Sequence, residues 1–146
     1  MAEIELLQFE SKSQNINIAT GSLIALENNR NIPFAIKRVY YIYNVEKETV
    51  RGFHAHKTLQ QVLLCLHGSI EICCDNGITK ERFLLNDPTL GLFIGKNTWR
   101  TMKWIVSKSV LVVLASDFFD ENDYIRDYND FIEYLKIIKE KNESTF

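Results

Sequence analysis

The chain has 146 residues, 46% apolar and 25% charged, with 17 Lys+Arg against 19 Asp+Glu for a formal net charge of −2. That length fits a single domain spanning residues 1–146, and the balance of apolar and charged residues excludes both global disorder and a strongly basic nucleic-acid-binding surface. Any anionic ligand must then be met by local Arg or Lys side chains.

The N-terminus, Met1-Ala2-Glu3-Ile4-Glu5, carries acid where a secretory signal carries basic residues, so export is not expected. The longest apolar runs, Val62–Leu66 and Val110–Ala115, fall far short of the roughly 20 residues that span a bilayer, so the chain reads as soluble with no membrane partner. Gln8–Asn31 is polar with scattered Ile and Leu, and is readable as an edge hairpin, a swapped strand or a loop.

Beyond it come short β-type runs at Ala35–Val45, Arg51–His56, Gln60–Leu66, Ser69–Cys74, Lys80–Leu85, Gly91–Ile94, Thr101–Ile105 and Val110–Ala115. Turn residues separate them, as at His67-Gly68, Asp75-Asn76-Gly77 and Asn86-Asp87-Pro88. The spacing predicts an all-β sandwich or barrel. From Asn129 the apolar positions Phe131, Tyr134, Leu135 and Ile138 fall at helical spacing, which predicts an amphipathic helix fraying by Asn142. Cys65, Cys73 and Cys74 are odd in number and lack zinc spacing, and read as buried thiols in a reducing cytoplasm.

The stretch that carries chemistry is Arg51-Gly52-Phe53-His54-Ala55-His56-Lys57. Residues two apart in a strand share a face, so His54 and His56 project together. The bland alternative is a half-exposed His pair on a surface face. In a regular strand Arg51 and Lys57 point away from the imidazoles, within reach only of a phosphate at the rim.

The spacing from His54-x-His56 through Gln61 to Gly68 resembles the first cupin motif, in which an acidic residue at the place of Gln61 ligates metal. In the second motif Arg100 stands where a further histidine is expected. Two histidines, an amide and a repelling cation make a poor divalent site, so no bound metal is predicted. The same residues suit an anionic, sugar-like ligand. Gln61 can bond hydroxyls, Arg100 can pair with phosphate or an enolate, and the imidazoles can move protons.

In Lys37–Tyr43, Arg38 and Tyr40 share one face with Ile42, which asks for a polar cavity; an aromatic strand at a dimer interface with Arg38 solvated is the competing reading. Trp99 and Trp104 are open between core packing and stacking on a nucleobase. His67, in a turn, is left outside the site.

These residues together resemble the sugar 3,4-ketoisomerases of the cupin superfamily, which act on dTDP-4-keto-6-deoxyglucose. The likeness runs through Ile32-Pro33-Phe34, the Lys37–Tyr43 strand, the specific string Arg51–Lys57, Leu66–Ser69, Leu85–Pro88, Gly91–Gly95 and Ala115-Ser116 to Asp123-Tyr124-Ile125-Arg126. The resemblance implies a cupin (jelly-roll) β-barrel with a C-terminal helix, and an isomerase that needs neither metal nor cofactor and moves the sugar carbonyl from C4 to C3 through an enediol. It implies His54 as main base, His56 as second proton-handling or orienting group and Tyr40 beside them. Arg38, Arg51, Gln61 and Arg100 would contact the substrate. It further implies a cytoplasmic homodimer serving deoxyamino-sugar and surface-polysaccharide synthesis, with N-terminal strands often exchanged between subunits.

Rival readings are a dTDP-sugar 3,5-epimerase, which looks for a His–Asp dyad and a Tyr acid, a non-catalytic nucleotide-sugar-binding module, and a metal-dependent cupin oxygenase. No acid partner for His54 is evident in its neighbourhood.

Overall fold

The computed structural model describes residues 3–12 and 21–144. Ten strands stand among them: β1 (Ile4–Gln8), β2 (Arg38–Ile42), β3 (Val50–His56), β4 (Gln61–His67), β5 (Ile70–Asp75), β6 (Lys80–Leu85), β7 (Leu90–Ile94), β8 (Trp99–Trp104), β9 (Val110–Ala115) and β10 (Tyr124–Ile125). A 3-10 turn at Glu121–Asp123 precedes β10, and the helix α1 (Tyr128–Ser144) follows it. The strands form two five-stranded antiparallel sheets, ordered β1-β7-β4-β9-β2 and β10-β3-β8-β5-β6. From β2 to β10 every connection except the β5–β6 hairpin passes from one sheet to the other, the crossing pattern of a jelly roll. This is the all-β cupin-type barrel with a C-terminal helix expected from the sequence.

Side-chain alternation sets where the site sits. Leu63 and Cys65 of β4 face the core between the sheets with Ile72, Trp104 and Leu111. Val62 and Leu64 face outward onto a second apolar layer with Phe9, Ile32 and Phe34. β4 is thus covered on both faces, which is why its apolar run is continuous rather than alternating. Along three strands the inward residues pass from polar to apolar: Arg38, Tyr40, Ile42 in β2; Gln61, Leu63, Cys65 in β4; Arg100, Met102, Trp104 in β8. Arg38 and Gln61 both pair with Ala115 of β9, so they lie at one level. One end of the barrel therefore holds hydrogen-bonding groups, and the other is closed by hydrocarbon.

The helix begins behind Asp127, whose side chain accepts from the Asp130 backbone N–H at 3.0 Å as an N-cap. It seats the buried Phe131 against Ala55 and Ile125, with Trp99 alongside. It continues to Ser144, two residues past the predicted fraying at Asn142.

Several boundaries differ from the sequence reading. β1 was not predicted, because only Ile4 and Leu7 of its five residues are even half-buried and they break the period of two. β2 is confined to Arg38–Ile42, while β8 starts at Trp99, which brings Arg100 inside the strand. Lys12 and Leu23 exchange both backbone hydrogen bonds at 2.9 Å, closing a narrow hairpin-like link; residues 13–20 between them lie outside the described residues. Cys65 and Cys74 are buried and Cys73 half-buried, all as free thiols. Among the described residues no helix is long and apolar enough to cross a membrane.

Candidate active site

A bulge in β3 builds the site. Arg51 pairs with Met102, Gly52 with Thr101 and His54 with Arg100, so Phe53 is an extra residue with no partner on β8. Gly52 at φ 97° and Phe53 at φ 55° both adopt the left-handed region. A Cβ on Gly52 would lie 2.9 Å from the Arg100 carbonyl oxygen, so only glycine fits without displacing β8. The extra residue changes the parity of the strand. Arg51 and His54, three apart, each sit opposite an inward residue of β8 and share the inner face, whereas a regular strand turns Arg51 away. Phe53 is put outside, half-exposed. Lys57 does face away, its ammonium 5.7 Å from the Tyr134 ring on α1.

Arg38, Tyr40, Arg51, His54, Tyr124 and Arg126 border a cavity of about 330 Å³ at the polar end of the barrel. That volume lies within the range of small-molecule sites. Neither Arg38 nor Arg51 has a carboxylate partner among the described residues, so two guanidinium charges stand uncompensated at its wall. Arg126 is engaged: it donates to both carboxylate oxygens of Glu121 at 2.7 and 2.9 Å and lies over the Tyr124 ring at 4.1 Å. Arg38 and Tyr124 also border a smaller adjoining cavity of about 30 Å³, which His56 and Asp123 reach.

Behind the large cavity runs a buried hydrogen-bonded chain. Arg100 Nη1 donates to Gln61 Oε1 at 2.5 Å, and Gln61 Nε2 donates to the Tyr40 hydroxyl oxygen at 3.1 Å. Arg100 Nε and Nη2 both donate to the Thr98 carbonyl at 3.3 and 3.1 Å. Gln61 and Arg100 are each 1% exposed and do not line the cavity, so they stand beneath the site rather than at its surface. With its oxygen accepting from Gln61, Tyr40 keeps its own proton for another acceptor. Burial raises the phenol above its ordinary value despite the Gln61 bond and two nearby arginines, so it stays protonated.

The two imidazoles meet edge to face, ring centres 4.9 Å apart. Burial, and next the Arg100 charge, holds His54 down at about 4. Burial, then Arg100 and His54, holds His56 down at about 2. Both are neutral at neutral pH. His56 Nδ1 lies 3.1 Å from Asp123 Oδ2, while its Nε2 has no hydrogen-bond partner among the described residues.

Of the residues singled out in the sequence, His54, Tyr40, Arg38 and Arg51 reach the large cavity, His56 the adjoining one, and Gln61 and Arg100 the layer beneath. His67 is exposed at the end of β4, away from both. Trp104 is a fully buried core residue that donates to the Ser109 carbonyl at 2.8 Å, so it is closed to a nucleobase, while the half-buried Trp99 packs edge-on against Tyr128 at 5.3 Å and does not line the large cavity. Sequence reasoning by strand geometry missed Asp123, Tyr124 and Arg126, which arrive on a two-residue strand too short to be seen by periodicity. Their one signal was the Asp-Tyr-Ile-Arg string in the family resemblance. No acid partner was evident for His54, and none stands against it among the described residues; the acid contact belongs to His56, whose partner Asp123 lies 67 residues further along the chain. Among the described residues no group of three or more His, Cys, Asp or Glu is arranged to hold a metal ion.

Comparison with known proteins bears on the family and the fold. The chain is 49% identical over 123 residues, 84% of its length and 88% of the relative's, to TDP-4-oxo-6-deoxy-alpha-D-glucose-3,4-oxoisomerase of Aneurinibacillus thermoaerophilus. Its fold matches a 3,4-ketoisomerase from Helicobacter canadensis at TM-score 0.87 and 48% identity, covering 93% of this chain and 99% of the other. It matches the sugar 3,4-ketoisomerase QdtA of Thermoanaerobacterium thermosaccharolyticum, solved with TDP, at 0.86 and 42%, covering 92% and 95%; a mutant of QdtA is solved with TDP-4-keto-6-deoxyglucose. The rmlC epimerase of Mycobacterium tuberculosis, at 11% identity and TM-score 0.69 over 84% of this chain and 67% of its own, shares the fold alone. Residues 3–136 match the family described as FdtA: WxcM-like, C-terminal, and the chain belongs to that family, alongside these sugar 3,4-ketoisomerases.

Proposed function

We propose that the chain is a sugar-nucleotide 3,4-ketoisomerase acting on dTDP-4-keto-6-deoxyglucose, with His54 as the base. The observation that carries the reading is a neutral imidazole at the edge of a cavity walled by uncompensated arginines, in a chain 49% identical to an oxoisomerase of that sugar nucleotide. His54 removes the C3 proton, and the electron pair moves into a C3–C4 double bond as the C4 carbonyl oxygen gains a proton. The enediol then loses its C3 hydroxyl proton and gains a proton at C4, leaving the carbonyl at C3. C3 is oxidised and C4 reduced within one molecule, so the step needs no cofactor.

The Tyr40 hydroxyl, kept protonated and relieved of its acceptor duty by Gln61, suits proton donation to the carbonyl oxygen. Arg38 and Arg51 suit the diphosphate, and Arg38 also suits the negative charge of the enediolate. Gln61 acts from beneath by aiming Tyr40, and the Arg100 charge adds to burial in keeping both histidines neutral.

The family match over residues 3–136 supports reading the chain as one catalytic unit. A homodimer is supported by the edge strand β2, which exposes Val39 and Tyr41 on its outer face with Tyr43 just beyond it. Three free thiols suit a reducing cytoplasm. The test of function is His54→Asn: it should bind TDP with unchanged affinity and turn over nothing. Turnover retained in that variant would remove His54 from the reaction, and a wild-type protein that binds the sugar nucleotide without changing it would make this a binding module.

A further inference from the structure

The Asp123 carboxylate is held by groups that leave it little freedom. Its Oδ1 accepts from the Thr58 backbone N–H at 2.8 Å and from the Thr58 hydroxyl at 2.7 Å. Its Oδ2 accepts from the Leu59 N–H at 3.2 Å and faces His56 Nδ1 at 3.1 Å. Every partner is a donor, and an ionised carboxylate can only accept. The proton of a neutral His56 must therefore sit on Nδ1, which leaves a lone pair on Nε2. That Nε2 is fully buried and meets no donor among the described residues. A lone pair kept open in this way, on a ring packed 4.9 Å from the His54 ring, is arranged to accept a hydrogen bond.

We propose that Asp123 is a positioning residue for the isomerisation: it fixes His56 as the Nδ1–H tautomer and so presents the Nε2 lone pair as a hydrogen-bond acceptor beside His54. The role rests on the ketoisomerase reading above. The two loops it joins explain its place in the fold. Thr58 and Leu59 follow β3, which carries both histidines, and Asp123 ends the 3-10 turn that leads into Tyr124 and Arg126 of the cavity wall. One carboxylate thereby sets both the tautomer of the buried histidine and the position of the wall. The exposed Glu121 carboxylate, nearby in sequence, is committed to Arg126 and does not compete for His56.

The substitution Asp123→Asn separates the two roles. To keep accepting from both Thr58 donors, the amide must place its oxygen there, which turns its NH2 group toward His56 Nδ1. That amide donates, so the ring must accept at Nδ1 and carry its proton on Nε2, the opposite tautomer. The loss of that acceptor beside His54 should appear as a kcat reduced about 10²–10⁴-fold with KM within about threefold. The chain has only three histidines, so 15N NMR with His54→Asn and His67→Asn for assignment reads the His56 tautomer directly, with or without turnover.

The expected result is a protonated Nδ1 and bare Nε2 in the unaltered protein, reversed in Asp123→Asn, together with the kcat loss. A protonated Nε2 in the unaltered protein overturns the proposal, and that measurement stands even if the variant fails to fold. A variant with reversed tautomer and normal kcat overturns it too. If the unaltered protein shows the Nδ1–H tautomer but isomerises nothing, the ketoisomerase reading has failed and takes the role with it, an outcome distinct from the other two.

Discussion

Gln61→Glu should move stability and activity in opposite directions. Arg100 is 1% exposed, yet among the described residues its donors reach only the Gln61 amide oxygen and the Thr98 carbonyl, with no carboxylate in ion-pair contact. A carboxylate in place of the amide turns the 2.5 Å contact, whose donor is already the charged guanidinium, into an ion pair. At an effective dielectric of about 20 the new ion pair attracts by about 4 kcal/mol, and burying the carboxylate takes back about 2–3 of that, so a net gain of about 1–2 kcal/mol is expected. For a chain of this size that raises Tm by roughly 3–8 °C.

The same change removes the Nε2 donor that now meets the Tyr40 oxygen at 3.1 Å, and puts an acceptor there instead. Tyr40 must then donate its proton inward, away from the cavity. Withholding an acid of this kind lowers kcat by roughly 10²–10⁴-fold. Calorimetry and steady-state turnover on one preparation read both effects, with Gln61→Leu as the control that strands both partners and should lose about 2–4 kcal/mol. A Gln61→Glu protein that is less stable than the parent, or one that keeps full kcat, would refute the reasoning about this buried chain.

Gly52→Ala forces a Cβ to 2.9 Å from the Arg100 carbonyl at a left-handed φ, so it should cost roughly 1–3 kcal/mol in denaturant unfolding and lower kcat by shifting His54. Arg51→Ala should raise KM about tenfold or more with little change in kcat, by loss of one charge-assisted contact. With His54 near 4 in the free protein, the profile of kcat/KM should stay flat on its acid side from pH 8 to about 5.5, where an ordinary imidazole near 6.5 would already have lost most of its activity. The same depression makes the native state bind fewer protons than the unfolded chain between pH 6.5 and 4. Stability is therefore lost as pH falls through that window, by roughly 3 kcal/mol from His54, and His54→Asn should show a correspondingly shallower acid dependence.

The strands with clear alternation or long apolar runs, β4, β5, β6 and β9, were legible within a residue or so, because burial on a pleated face dictates their side-chain period. β1 and β10 were not: an edge strand with little buried surface and a strand of two residues leave no periodic trace. The pairing of His54 with His56 in one site followed from their spacing, and Arg38 with Tyr40 from theirs. The inward turn of Arg51 did not, since it depends on a bulge at Gly52 and Phe53 that period-2 reasoning assumes away. Arg100 was recognised as a cation in a ligand's place, but its depth below the cavity depends on packing against Gln61 and Thr98, which no local pattern encodes. Asp123 lies 67 residues from His56, and only the chain's crossing between sheets brings the two together.

The assignment of a ketoisomerase turns on where the carbonyl and the new proton end up. Proton NMR of the protein with dTDP-4-keto-6-deoxyglucose in deuterated water, with chelator present, reads both at once. The expected product carries its carbonyl at C3 and deuterium at C4, and the C4 coupling distinguishes the galacto from the gluco configuration. Exchange of deuterium at C3 and C5 with the carbonyl still at C4 would contradict the account and make the protein an epimerase.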